Sequence, residues 1–275
     1  MRLNRSNRWI SGILAAAALL LAASPGWCPN PLVRRRAIGS GLPPGMLAVG
    51  AASFNGATPT FLETPSTSDF QVATHDFSLC LWYYVTNATP GTYQRIFIKG
   101  GGSGTTDEWG IQINGTTNQL SIFYCYNPGY SGVDIGALSA NSWHFAYAGW
   151  SQGSQLFSWS IDHAAVSTAG GSAFGPQATT NPVFLGVAGD GVTSPYTGLL
   201  DGVGFWTRLL TPAELTQLWN GGRGVKMKNL SGSILTGLTA GYDLDGPAVD
   251  GLWHDAINAH QLTNHSGVVV VPGKT

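Results

Sequence analysis

From Val49 onward the chain falls into short runs of β-branched, aromatic and aliphatic residues, each closed by Gly, Pro, Asn or Ser. A chain that must turn this often has no room for long helices, and short strands bury their apolar faces by pairing into an antiparallel sandwich or barrel. The strongest run is Phe77-Ser78-Leu79-Cys80-Leu81-Trp82-Tyr83-Tyr84-Val85. Side chains alternate across a strand, so Phe77, Leu79, Leu81 and Tyr83 share one face, and Ser78, Cys80, Trp82 and Tyr84 the other. Further strands are expected over 95–99, 108–114, 119–126, 143–150, 155–162, 183–187 and 198–206. One helix is signalled. Thr211 is its N-cap, Pro212 its first residue, Glu214 closes a capping box, Leu215, Leu218 and Trp219 share a face, and Gly221-Gly222 supplies the stop. It is expected as a lid on one edge or end of the sandwich.

With 38 glycines and only 10% charged residues, the composition excludes a coiled coil or a charged disordered tail. The formal net charge of -1 is a sum of two unlike parts. Arg2, Arg5, Arg8, Arg34, Arg35 and Arg36 all precede residue 37, and only seven cations accompany the 14 acidic residues beyond it. An acidic body lacks the cationic footprint that phosphate binding needs, so no nucleic-acid partner is expected. The basic start followed by an apolar run from Trp9 to Ala23 reads as a secretory signal or an uncleaved N-terminal anchor. Arg34 to Arg36 oppose translocation, and Met46 is an alternative start. The expected location is extracellular or cell-surface, with membrane contact only through the leader.

The cysteines are Cys28, Cys80 and Cys125. If Cys28 is removed with the leader, Cys80 and Cys125 form an even pair. They are open either to one disulfide in an oxidising compartment or to two buried, reduced side chains. No Cys-x-x-Cys occurs, so zinc or thiol-redox chemistry has no support.

Several motifs in order give the chain a resemblance to the laminin G-like, concanavalin A-like lectin/glucanase jelly-roll family. Ala51 to Gly56 resembles its opening strand and turn, Phe77 to Trp82 its F-T-I-x-x-W strand, and Trp143-His144-Phe145-Ala146-Tyr147 its W-H-x-V-A strand. Ser160-Ile161-Asp162-His163 is similar to its Y-V-D-G turn. Gly198 to Trp206 with the Leu-Thr-Pro-Ala-Glu-Leu helix resembles G-x-I-D-x-V-x-x-Y-x-R-x-L-T-x-x-E. The resemblance implies an all-β, two-sheet antiparallel jelly-roll sandwich with one short capped helix. The family's usual opening strand, L-x-A-Y-W-x-L-D-E, has its counterpart at the other end, in Leu238 to Gly246. The expected organisation is a leader over 1–24, a linker over 25–44, the laminin G-like unit over 45–223, a linker over 224–237, and a strand segment over 238–275. That last segment either completes the same sandwich, as in a circular permutation, or begins a truncated second repeat.

Glycosidases of the superfamily need two carboxylates about 5 Å apart for retaining hydrolysis. Only Glu63, Glu108 and Glu214 are glutamates, and none has an acidic partner at i+2 or i+4. No Gly-x-Ser-x-Gly elbow is present, His144 reads as a strand residue bonded locally, and Gly100 to Gly104 reads as a flexible hairpin. No enzymatic activity is expected. Relatives that bind Ca²⁺ on the sandwich rim make Asp190 and Asp201 metal candidates, each with the alternative of a satisfied turn carboxylate. Ligand-binding candidates are aromatic, because rings cover the apolar faces of sugars. They are Trp82 and Tyr84 on the second face of the strongest strand, and Tyr130 and Tyr196 in loops. The resemblance implies a non-catalytic recognition module for a glycan or a cell-surface protein. A structural or adhesion module of a cell surface or virion is the alternative, and a degenerate glucanase a more distant one.

Overall fold

The computed structural model describes residues 50–274 except 57–59, 103–105 and 266. The leader, the linker 25–44, Cys28 and Met46 lie outside the described residues. Strands and helix follow in chain order: β1 (Ala51–Asn55), β2 (Phe61–Thr64), β3 (Phe77–Val85), β4 (Gln94–Lys99), β5 (Trp109–Asn114), β6 (Gln119–Tyr126), β7 (Gly129–Ala137), β8 (Trp143–Ser151), β9 (Leu156–Ile161), β10 (Ser167–Gly170), β11 (Val183–Leu185), β12 (Thr197–Trp206), α1 (Pro212–Trp219), β13 (Leu238–Tyr242), β14 (Thr263–His265) and β15 (Val269–Val271). They form two antiparallel sheets, a concanavalin A-like jelly-roll sandwich. One runs β10-β9-β8-β3-β12-β1-β15, with β13 pairing the far half of β12; the other runs β14-β2-β11-β4-β5-β6-β7. No helix among the described residues is long and apolar enough to cross a membrane.

The alternation in β3 sorts its side chains as its parity requires. Phe77, Leu79, Leu81 and Tyr83 enter the core between the sheets, with Ile111, Ile113, Leu120 and Ile122 facing them from the other side. Trp109 lies at the centre, stacked on Phe205 at 4.5 Å and edge-on to Phe97; its indole N–H donates to the Phe70 carbonyl at 2.9 Å. Burying the rings is favourable, and the bond removes the penalty on the one polar atom of the indole.

The outer faces of the two sheets differ. On the eight-stranded sheet, Cys80, Trp82, Phe145, Tyr147 and Trp206 are covered by Leu215 and Leu218 of α1 and by Met227, Leu230 and Ile234. The helix therefore lies over a sheet face, not at an edge or end. Its N-cap is as the sequence indicates, Thr211 Oγ1 accepting the Glu214 N–H and Glu214 the Thr211 N–H; the left-handed C-cap is Asn220, at φ 47, ψ 47, one residue before the expected Gly221-Gly222 stop. Residues 224–237, expected as a linker, fold into two 3-10 turns because three apolar side chains there complete this cover.

The second strand face also settles the cysteines. Cys80 is buried outside the eight-stranded sheet and Cys125 outside the seven-stranded one, and both are reduced. The whole core lies between them, so the disulfide does not form. Beyond the helix, residues 238–271 add β13 and β15 to the first sheet and β14 to the second. Tyr130, expected in a loop, lies in a strand: after the cis Asn127–Pro128 peptide the chain runs straight back as β7, paired along β6.

Candidate functional site

Among the described residues, the outer face of the seven-stranded sheet carries no helix-borne cover like that on the other sheet. Over β4 to β7 it opens as a cavity of about 640 Å³, lined by Tyr93, Arg95, Gln112, Asn114, Tyr130 and Asp134, among others. Its floor is a product of register. Arg95 pairs with Gln112, Gln112 with Ser121, and Ser121 with Asp134, so four polar residues from four strands stand in one cross-sheet row. In the neighbouring row, Gly110, Phe123 and Gly132 lie side by side. A Cβ on Gly110 would come within 2.8 Å of the Phe123 ring, and one on Gly132 within 2.5 Å of the Tyr130 hydroxyl. Only bare backbone lets these rings lie flat along the sheet.

Hydrogen bonds tie the two ends of the row separately, Arg95 and Gln112 at one end and Asp134 at the other. Arg95 reaches Asp107 Oδ2 at 3.2 Å and donates to Gln112 Oε1, with its guanidinium 4.5 Å above the Phe123 ring. Gln112 in turn donates to the Tyr130 hydroxyl at 3.2 Å, and Asn114 holds Asp134 Oδ1 at 3.1 Å. Tyr130 stacks on Phe123 at 5.6 Å yet is 48% exposed, and Tyr93 on the opposite rim is 45% exposed. Burial raises the Asp107 carboxyl, while Arg95 pulls it back down. Such a surface offers ring faces for apolar C–H groups and a fixed set of amides and hydroxyls for hydrogen bonding.

Of the four expected aromatic contacts, the fold places only Tyr130 here. Trp82 is 2% exposed, stacked on Trp219 at 5.3 Å with the Lys274 ammonium 4.6 Å above its ring. It anchors the helix, so the flat platform expected with Tyr84 does not form. Tyr84 is half-buried against Trp143. Tyr196, expected exposed in its loop, is wholly buried, and its hydroxyl donates to the Tyr84 carbonyl at 2.9 Å. A buried phenol in that position ties the loop before β12 to the end of β3. Arg95, Gln112, Asn114 and Asp134 escaped the sequence reading because nothing local marks them; their alternation with core residues in β4 to β7 was the available signal.

The metal candidates do not assemble a donor set. Asp190 spends both oxygens on its own turn, accepting from Val192 N, Thr193 N and Thr193 Oγ1, and these bonds lower its carboxyl despite some burial. Asp201 is fully buried; Oδ2 accepts the Lys274 N–H, and Oδ1 has no hydrogen-bond partner among the described residues. Among the described residues no three His, Cys, Asp or Glu side chains converge as metal ligands.

The three glutamates are each paired with a basic side chain. Glu108 is buried against Lys99 at 2.6 Å, Glu63 meets His265 at 3.0 Å, and Glu214 is held by Arg208. His144 lies between Ser142 Oγ and Asp162 Oδ2, 2.7 Å from each. Asp162 Oδ1 also accepts the Phe145 N–H, so the trio fastens the start of β8 to the end of β9. At His260, Nδ1 faces Asp255 and Nε2 faces both Thr67 Oγ1 and Asp69.

Residues 58–216 match the family described as the Concanavalin A-like lectin/glucanases superfamily. No curated protein matches the chain. Among solved structures, a candidate carbohydrate binding protein from Bacteroides ovatus ATCC 8483 is similar with a TM-score of 0.60 at 15% identity, over 84% of this chain and 61% of that one. The chain thus spans less than two thirds of that protein. A heptameric SAP-like pentraxin from Limulus polyphemus is similar with a TM-score of 0.50 at 14% identity, over 80% of this chain and 94% of the other. At these identities the likeness is one of fold.

Proposed function

Because the chain belongs to the concanavalin A-like lectin/glucanase superfamily, we propose that it is a non-catalytic recognition module whose ligand is a glycan, bound in the cavity over β4 to β7. The observation that carries this reading is the cross-sheet row Arg95–Gln112–Ser121–Asp134 beneath the two exposed rims Tyr93 and Tyr130. Flat polar floors with aromatic sides suit a pyranose, whose C–H faces stack while its hydroxyls bond in the plane. The name of the Bacteroides ovatus relative is in keeping with this. The basic and apolar leader supports export, which would bring such a module to extracellular glycans.

A glycan array probed with the full chain tests the reading. Binding to at least one oligosaccharide class is expected, with Tyr130→Ala weakening it about tenfold, since loss of one stacked ring costs on the order of 1 kcal/mol or more. Thermal unfolding of the variant should match that of the parent, because Tyr130 is half exposed and outside the core. Binding that survives Tyr130→Ala undiminished would move the ligand off this face, and no binding to any glycan would favour a protein partner.

A further inference from the structure

The charge layout of the same cavity points to its ligand class, and we infer that it takes a neutral glycan and discriminates against sugars bearing carboxylate, sulfate or phosphate. This rests on the glycan reading above and deepens it. Recognition of an anionic sugar calls for a cation with donors left over, best supplied by the planar fork of an arginine. Among the described residues Arg95 is the one cation lining the cavity; its two terminal nitrogens are engaged, and its Nε is buried out of a ligand's reach. Asp107 pairs with it at 3.2 Å, Gln112 accepts from it, Phe123 lies 4.5 Å beneath its guanidinium, and its side chain is only 13% exposed.

Against that neutralised cation stands a carboxylate with no counter-ion among the described residues. Asp134 lines the cavity at the far end of the row and accepts from the neutral amide of Asn114. Asp190 adds to the acidic side, lying close enough to Asp107 to push its carboxyl further up. The sum over Arg95, Asp107 and Asp134 is negative, within an acidic body. An anionic ligand would therefore be repelled on approach and would find no unpaired cation on arrival. The remaining polar liners, Gln112, Asn114, Ser121, Ser194 and the two tyrosines, are the uncharged donors and acceptors that hydroxyls need.

Matched pairs of oligosaccharides, each neutral chain beside its sulfated or uronate-bearing counterpart, provide the test on the full-length protein. The neutral member of each pair is expected to bind at least roughly tenfold more tightly at low salt, with the gap narrowing as salt screens the repulsion. Asp134→Asn should raise the acidic-to-neutral affinity ratio several-fold, whatever it does to either affinity alone. Circular dichroism of the variant verifies that it is folded. Equal or tighter binding of the acidic members, or a ratio unmoved in folded Asp134→Asn, overturns the inference while leaving the glycan site standing. Failure of both members of every pair to bind removes the glycan reading and this inference together.

Discussion

Asp201 is a buried carboxylate with one oxygen unpartnered among the described residues, flanked by Asp245 and Asp243. Burial is the main reason its carboxyl is raised well above the usual range, the two neighbouring acids adding to it. The folded protein therefore holds that proton more tightly than the unfolded chain does. Stability from this group is complete below the ordinary carboxylate range and is lost as pH climbs toward the raised folded value. Asparagine keeps an acceptor for the Lys274 N–H and removes the charge. Asp201→Asn should therefore stabilise the fold by about 1 kcal/mol or more at pH 8 and give no gain at pH 3, as read from urea midpoints at both values. The opposite design appears at Lys99 and Glu108, which are equally buried but fully paired: Thr179 bonds both, and Val72 N–H donates to Glu108. Neither arrangement can be read from neighbours in sequence, because Thr179 lies 80 residues from Lys99 and Lys274 lies 73 from Asp201.

Among the elements, α1 was the most legible, since its capping residues sit within one turn of each other. What the sequence could not show was that Arg208 would grip Glu214 through two bonds of 2.8 Å, with Ser233 adding a third at 2.9 Å. These partners hold the Glu214 carboxyl down at about 2, against an ordinary 4.5. The folded form is thus favoured above about pH 4.5, and that stability drains away as pH falls toward 2. Glu214→Gln should lose about 2 kcal/mol at pH 7 and flatten the acid limb of the stability curve, checked by denaturant unfolding between pH 2 and 7. A steep limb unchanged in the variant would assign the acid sensitivity elsewhere. Strand β3 was legible for a similar reason, its alternation being local, whereas β7 was not: Gly129, Gly132 and Gly136 make it look like loop, and only pairing along β6 keeps it extended.

For the whole molecule, the last strands matter more than their length suggests. β13 continues the edge of β12, β15 closes on β1, and β14 closes on β2, so 238–271 serves both sheets. Tyr242, Trp253, Leu262 and Val268 are buried in the common core with it. Each such side chain contributes about 1.5–3 kcal/mol, and together they rival the 5–15 kcal/mol that a domain has to spare. A chain ending at Thr236 should therefore show no cooperative thermal transition by near-ultraviolet circular dichroism; an unchanged melting temperature would mean the segment is dispensable. The sequence by itself determined the fold class, the faces of β3 and the capped helix, because alternation and capping depend on residues a few positions apart. Which outer face the helix would cover, whether Trp82 and Tyr196 would be ligand contacts or core, and that Arg95, Gln112, Ser121 and Asp134 would form one row were decided only by tertiary structure. Those outcomes depend on register between strands far apart in the chain, and shifting that register by one residue would turn the polar row inward.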